Sequence, residues 1–344
     1  MTRPVELRHE APAPTPQPLL AVEDLRVSFG TDVGPVTVVD GVTFSIQPGE
    51  TLALVGESGS GKSVTAMAII GLLRHSNGRI TGGSVRFDGR ELTTLPEKQL
   101  RTMRGSSISM IFQEPRRSLD PAFSVGSQIA EVAARHLDLS RRDARRRAIE
   151  MLDRVGIPAA AQRFGDYPHE FSGGMCQRVM LAMALVANPR LLIADEPTTA
   201  LDVTVQARVL RLLGDLQQEM GLSILLITHD LGVVAETCDR VAVMYAGQIV
   251  EEAAAETLLR SPRHPYSEGL LASLPQFLDP GQRLVAISGS VPIPGSWPQG
   301  CRFHPRCDYA VDACREAIPE LALKVDGHHD RCFRADELSL PGVS

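Results

Sequence analysis

Gly56-Glu57-Ser58-Gly59-Ser60-Gly61-Lys62-Ser63 decides how the rest of the chain is read. The octapeptide fits the phosphate-binding pattern G-x-x-x-x-G-K-[ST] without a mismatch. Thr51 to Val55 before it reads as a short buried strand, and Val64 to Leu73 after it as an apolar helix. Glycines let the backbone curl until successive N–H groups face an anion, and the helix start adds its positive dipole end. Backbone and side chains of Gly56, Ser58, Gly59, Ser60, Gly61 and Val64 are therefore expected around a nucleoside triphosphate. Lys62 is expected at its β- and γ-phosphates and the Ser63 hydroxyl on a Mg²⁺ ion. Of the 35 basic residues, only Lys62, Lys98 and Lys324 are lysine. In a chain that otherwise uses arginine, Lys62 stands out as chemically required, because a compact ammonium suits this loop better than a guanidinium fork.

Working outward, residues 1–18 form a Pro- and Ala-rich tail without the apolar core of a signal peptide. Leu19 to Phe29 and Val36 to Ile46 read as strands joined by a turn at Asp32-Val33-Gly34-Pro35. Beyond the loop come an expected turn at Thr81-Gly82-Gly83, a strand through Val85 and Phe87, and a buried strand from Ile108 to Phe112 leading to Gln113. From about 115 to 187 the texture is helical. The basic run Arg141 to Arg147 there reads as a solvated helix face. Strands return at Leu191–Ala194, Ile224–Ile227 and Val241–Met244, with a helix from Val203 to Met220 closed by Gly221. Strands alternating with helices predict an α/β fold on a largely parallel sheet, with ligands at the strands' carboxyl ends. Past residue 260 the chain turns rich in Pro, Gly, His and Cys, the texture of a separate appendage.

The 344 residues carry a net charge of −6, which gives no reason to expect a nucleic-acid partner. The longest apolar run, Val179 to Ala187, is too short to cross a bilayer. Six cysteines in a chain of this character argue against a disulfide scaffold.

Two further stretches carry chemistry. Leu191 to Glu196 is an apolar strand ending in adjacent acids, whose mutual repulsion calls for a cation or a proton. Asp195 suits the Mg²⁺ shell and Glu196 the general base that polarises an attacking water. Ser172-Gly173-Gly174 opens a helix with a good N-cap and open backbone N–H groups. It lies 110 positions after Lys62 and just before the acidic strand, and Thr228-His229-Asp230 follows.

In that order, from about residue 19 to 260, the sequence resembles the ATP-binding cassette family. The resemblance implies a P-loop NTPase (RecA-like) core with an antiparallel β subdomain and a helical signature subdomain over about 115–187. It assigns Gln113 to Mg²⁺, water and the sensing of the membrane part, and His229 to the γ-phosphate. Ser172-Gly173-Gly174 would close over ATP held by a second cassette, with Ala200-Leu201-Asp202 crossing between the two. Phe29 would stack on adenine. Met175 and Cys176 depart from the residues common after the signature. With one phosphate loop and one signature the chain needs a second cassette, its own copy or a related subunit.

A narrower resemblance, to the ATPase subunits of peptide and nickel uptake systems, rests on Gln113-Glu114-Pro115, Ser118 to Pro121, Tyr167 to Glu170, His264-Pro265-Tyr266 and Pro305-Arg306-Cys307. It implies ATP-driven import of di- or oligopeptides, or of nickel or another small solute, at the cytoplasmic face of the cell membrane. Two transmembrane permease subunits and an extracytoplasmic solute-binding protein would be the partners. A cassette ATPase acting on DNA or ribosomes is the rival; 110 residues between the motifs leave no room for the coiled coil of the chromosome type.

The small irregular extension, 261–344, holds Cys301, Cys307, Cys314 and Cys332, with five, six and seventeen residues between them. The C-x-x-C pairs of zinc knuckles are absent. The resembling subunits implicate a [4Fe–4S] cluster; a Zn²⁺ site is the alternative, with His304, His328 and His329 as possible substitute ligands. Nothing in the sequence connects this extension to phosphate chemistry.

Overall fold

The computed structural model describes residues 17–198, 202–274, 287–325 and 327–343. Most of the Pro-rich tail, and Ala200 and Leu201, lie outside them. In chain order the strands are β1 (Leu20–Thr31), β2 (Gly34–Ile46), β3 (Thr51–Val55), β4 (Gly78–Phe87), β5 (Arg90–Glu91) and β6 (Ile108–Ile111). There follow β7 (Leu191–Asp195), β8 (Ser223–Thr228), β9 (Arg240–Tyr245), β10 (Gln248–Ala254), β11 (Ala322–Val325) and β12 (His328–Asp330). The first helices are α1 (Lys62–Ile69), α2 (Glu97–Met103), α3 (Pro115–Ser118), α4 (Val125–Leu137), α5 (Arg141–Arg154) and α6 (Ala160–Arg163). They are followed by α7 (Gly173–Leu185), α8 (Val203–Met220), α9 (Leu231–Thr237), α10 (Ala255–Arg260), α11 (Pro265–Ala272) and α12 (Asp312–Glu316).

Two sheets result. The antiparallel one runs β2-β1-β4-β5, and the larger one β11-β12-β10-β9-β3-β8-β7-β6. Within the larger sheet β9, β3, β8, β7 and β6 are parallel. Every residue of β3, β7 and β8 is buried. Strands covered on both faces by helices need such continuous apolar runs rather than alternation. Residues 115–187 are helical as expected, packed around α7, whose Val179, Leu181, Ala182 and Leu185 are wholly buried. The arginine run is the outer face of α5: Ala144, Ala148, Met151 and Leu152 face inward while Arg141, Arg142, Arg145 and Arg146 are exposed.

Two expectations fail. Thr81-Gly82-Gly83 is not a turn but lies inside β4. Opposite it the β1–β4 register slips between Glu23 and Arg26, and Gly83 takes φ +81° where a Cβ would strike the Asp24 carbonyl. The glycines make a bulge, which bends the strand without ending it. Nor is the extension separate from the cassette. Its β12 pairs antiparallel with β10, Glu251 opposite Asp330 and Glu252 opposite His329, so two strands from the C-terminal region continue the main sheet. Buried Glu251 ties the seam together by accepting from the Arg263 and His264 backbone N–H groups and pairing with His328 Nε2 at 2.7 Å.

Candidate active site

β3 delivers the chain into the loop, and α1 begins at Lys62. Gly56, Gly59 and Gly61 adopt φ of +153°, +83° and +109°, conformations that side chains resist. The Lys62 ammonium, buried within the loop, donates to Gly56 O at 2.7 Å and Glu57 O at 2.9 Å, with Ser60 Oγ at 3.4 Å. Burial lowers its pKa, opposed by the fields of Glu196, Asp195 and Glu57. A group in that balance gains from an incoming phosphate.

Ser63 Oγ donates to Asp195 Oδ1 at 3.1 Å, across 132 residues of sequence. Hydroxyl and carboxylate oxygens are the hard donors that Mg²⁺ takes, so these two side chains fit that ion. Burial raises the Asp195 pKa, helped by its neighbour Glu196 and opposed by the Ser63 hydrogen bond. A cation at this point would reverse that shift.

Glu196 stands between two partners. Gln113 Nε2 donates to its Oε2 at 2.8 Å, and His229 Nδ1 lies 3.3 Å from its Oε1. β6 supplies Gln113, β7 supplies Glu196 and β8 supplies His229 at the carboxyl ends of three adjacent strands. Glu196 has φ +47°, rare for a residue with a long side chain and typical of strain held at a working site.

Ser172 caps α7, accepting from Met175 N at 3.4 Å, and is exposed. Gly174 lets the start of α7 sit against Val205 of α8, since a Cβ there would meet the valine at 2.7 Å. Among the described residues no hydrogen bond joins Ser172-Gly173-Gly174 to Lys62 or its loop. Asp202 caps α8 through Val205 N at 3.0 Å. Phe29, half-buried in β1, lies with its ring against Gly78. Ser58 and Gly59 are exposed at the loop's tip, and Val64 is half-buried in the first turn of α1.

The four tail cysteines come together. Cys301, Cys307, Cys314 and Cys332 line one small cavity of about 20 Å³, with His264, His304 and Phe303 also on its wall. Burial raises the Cys301 thiol, lifts Cys307 to about 11 and lifts Cys332 to about 12. Among the described residues no three His, Cys, Asp or Glu side chains stand close enough to hold one metal ion. His328, offered above as a substitute ligand, is bound to Glu251 instead, and neither it nor His329 lines the cavity.

One finding overturns a sequence reading outright: the extension touches the phosphate loop. Arg306 grips both Glu57 carboxylate oxygens, at 2.7 and 3.0 Å, and the Glu57 N–H donates to Tyr266 Oη at 2.8 Å. Neither partner was singled out in the sequence for this role. They lie 249 and 209 residues from Glu57, and no local pattern announces such a contact.

The family model described as ABC transporter matches residues 39–199, and that described as oligopeptide/dipeptide transporter, C-terminal region, matches 250–314. The chain is 52% identical over 319 residues to the oligopeptide transport ATP-binding protein AppD of Bacillus subtilis, covering 93% of this chain and 97% of that one. It is 49% identical over 334 residues to a putative peptide import ATP-binding protein of Brucella abortus, covering 94% and 99%. Among solved structures it is similar to the dimeric cassette MJ0796 in a post-hydrolysis state bound to ADP and Pi. The TM-score is 0.62 at 26% identity, over 69% of this chain and 98% of that one. It is also similar to cbiO1 from Clostridium perfringens, part of the cbiONQ transporter complex, with TM-score 0.60 and 29% identity over 70% and 90%. By these matches the chain belongs to the ABC transporter ATPase family, with the C-terminal region of its oligopeptide/dipeptide branch.

Proposed function

We propose that this chain hydrolyses ATP to drive import of di- or oligopeptides through separate permease subunits. The observation that carries it is Glu196, strained and bracketed by Gln113 and His229, beside the Ser63–Asp195 pair. The loop N–H groups and Lys62 would bind the phosphates, and Phe29 the adenine. Mg²⁺, held by Ser63 and Asp195 with Gln113 nearby, would neutralise charge developing on the transferred phosphoryl group. Glu196 would accept the proton of the attacking water, with Gln113 orienting it and His229 reaching the γ-phosphate. Ser172-Gly173-Gly174, with Ser172 exposed and no hydrogen bond to this chain's own loop among the described residues, would complete the site of a second cassette, with Asp202 near the junction. MJ0796 being a dimer supports that arrangement.

The permease has a surface that suits it. Beside Gln113 an open groove is lined by Leu72, Phe112, Val132, Met180 and Met183, and Phe112 is 43% exposed. No helix of the described residues is long and apolar enough to cross a membrane, so the channel would belong to partners. The peptide solute is supported by the names of the relatives and by the match over 250–314. In liposomes containing this chain, its permeases and its solute-binding protein, dipeptides or oligopeptides should stimulate ATP turnover. Stimulation by nickel alone would reassign the solute, and turnover responding only to DNA or ribosomes would remove the transport reading.

For the tail we propose that the four cysteines hold a [4Fe–4S] cluster. Four thiols facing one cavity, yet too far apart for one ion, suit a group in which each sulfur binds a different iron better than they suit Zn²⁺. Bound iron would replace protons that burial favours on Cys301, Cys307 and Cys332, and would cross-link a small extension with little core of its own.

A further inference from the structure

Glu57 is an unusual passenger for an anion-binding loop. Its carboxylate is one of three whose field reaches the Lys62 ammonium, so the same field reaches any phosphate that Lys62 binds. Left alone it would repel a nucleotide. It is not left alone: Arg306, its side chain 5% exposed, takes both carboxylate oxygens in a fork and also reaches Tyr245 Oη at 3.4 Å. A two-pronged guanidinium–carboxylate contact fixes direction as well as charge.

The segment that carries Arg306 is itself firmly seated. Phe303 packs edge-on against Tyr245 at 5.2 Å and against Tyr266 at 5.3 Å, and Tyr266 takes the Glu57 N–H. At the other end of the segment Arg302 donates to Ala246 O at 2.6 Å and pairs with Asp40. Gly247, next in that turn, donates to Ser60 O at 2.8 Å. Residues 301–307 therefore meet the phosphate loop on both flanks, directly at Glu57 and through the 246–247 turn at Ser60. Arg302 adjoins Cys301 and Arg306 adjoins Cys307, so the cysteine cavity stands one residue behind each contact.

We propose that Arg306 is a positioning residue for the nucleotide site, holding and neutralising the loop's own Glu57 so that the extension sets nucleotide affinity in the same chain. The inference rests on the nucleotide reading of the loop and on nothing about the solute.

The test measures binding of ADP and of a non-hydrolysable ATP analogue to the full-length chain, and KM and kcat for ATP in the assembled complex. Arg306→Gln leaves the Glu57 carboxylate without its guanidinium partner, and should raise the dissociation constants and KM about tenfold with kcat changed little. Arg306→Lys, which keeps the charge but loses the second prong, should fall between. The neutral double variant Glu57→Gln/Arg306→Gln, which leaves no buried charge without a partner and so keeps the fold, should recover most of the lost affinity. That recovery separates positioning from docking, because a residue needed only to seat the extension gains nothing when Glu57 is neutralised. Wild-type affinity in folded Arg306→Gln, or a double variant as weak as the single, overturns the proposal. A wild-type chain that binds neither nucleotide would instead remove the reading of the loop itself.

Discussion

The cassette site and the cysteine cavity are built by opposite means. In the first, buried parallel strands end side by side and hand Gln113, Asp195, Glu196 and His229 to one place, so the backbone does the positioning. In the second, short segments are held to the cassette by the brief β10–β12 ladder and by side-chain pairs: Glu251 with His328, Arg263 with Asp330, Arg306 with Glu57. A site framed by a sheet tolerates loss of one reactive group without losing its shape. A site framed by side chains, with four thiols around a cavity, depends on what fills it. Substitutions in the first should abolish chemistry and spare stability; those in the second should do the reverse.

The largest effect belongs to the cassette. Glu196→Gln keeps the outline and one hydrogen-bonding oxygen while removing the carboxylate proposed to take the proton. Steady-state ATP turnover of the assembled complex should fall roughly 10²–10⁴-fold. Nucleotide should stay bound and the melting temperature should hold or rise, since the repulsion between the adjacent Glu196 and Asp195 carboxylates is relieved. Wild-type turnover in this variant would remove Glu196 as the base.

The extension should answer differently. Protein purified without oxygen should be brown, with about four irons and four acid-labile sulfides per chain. Cys332→Ser, which unlike Cys307 does not adjoin a loop-gripping arginine, should lose the colour and expose residues beyond 287 to proteolysis. Its ATP turnover in the assembled complex should change far less than that of Glu196→Gln. Stoichiometric zinc without sulfide would make the cavity a zinc site. A metal-free, protease-resistant tail would break the contrast altogether.

The same contrast explains what could be read from the sequence. Gly56 to Ser63, Asp195-Glu196 and Thr228-His229 were legible because each is a short pattern whose neighbours in sequence are its neighbours in space. The buried strands were legible because β3, β7 and β8 each carry an unbroken apolar run, Leu52–Val55, Leu191–Ala194 and Ile224–Ile227. The bulge at Gly82-Gly83 was not, because two glycines look alike in a turn and in a bulge until the opposing strand is known. β10 and β12 were missed because buried Glu251, Glu252, His328 and Asp330 have the composition of a loop and become strand-worthy only once paired. Arg306 and Tyr266 were visible in the sequence, while their hold on Glu57 was not.

The smallest prediction sharpens the comparison at the seam where the two regions join. On β10, Glu252 stands opposite His329 of β12, and it shares the Arg240 guanidinium with Glu50. Burial pushes the Glu252 carboxyl up to about 7; Arg240 opposes this, and the nearby Glu50 charge reinforces it. A carboxyl raised in the folded state favours the protonated fold. Its stabilising contribution is complete below pH 4.5, the ordinary value, and is lost as pH rises through 7. Glu252→Gln keeps the shape and cannot ionise, so it removes that dependence. Denaturant unfolding across a pH series should show the variant gaining on wild type between pH 4.5 and 7, by about 3 kcal/mol in total, with a constant difference above pH 8. If wild type instead gains on the variant as pH rises, the attraction of Arg240 outweighs the burial of Glu252. The seam would then be held by a charged pair, as the rest of the extension is, rather than by the dry packing that frames the cassette.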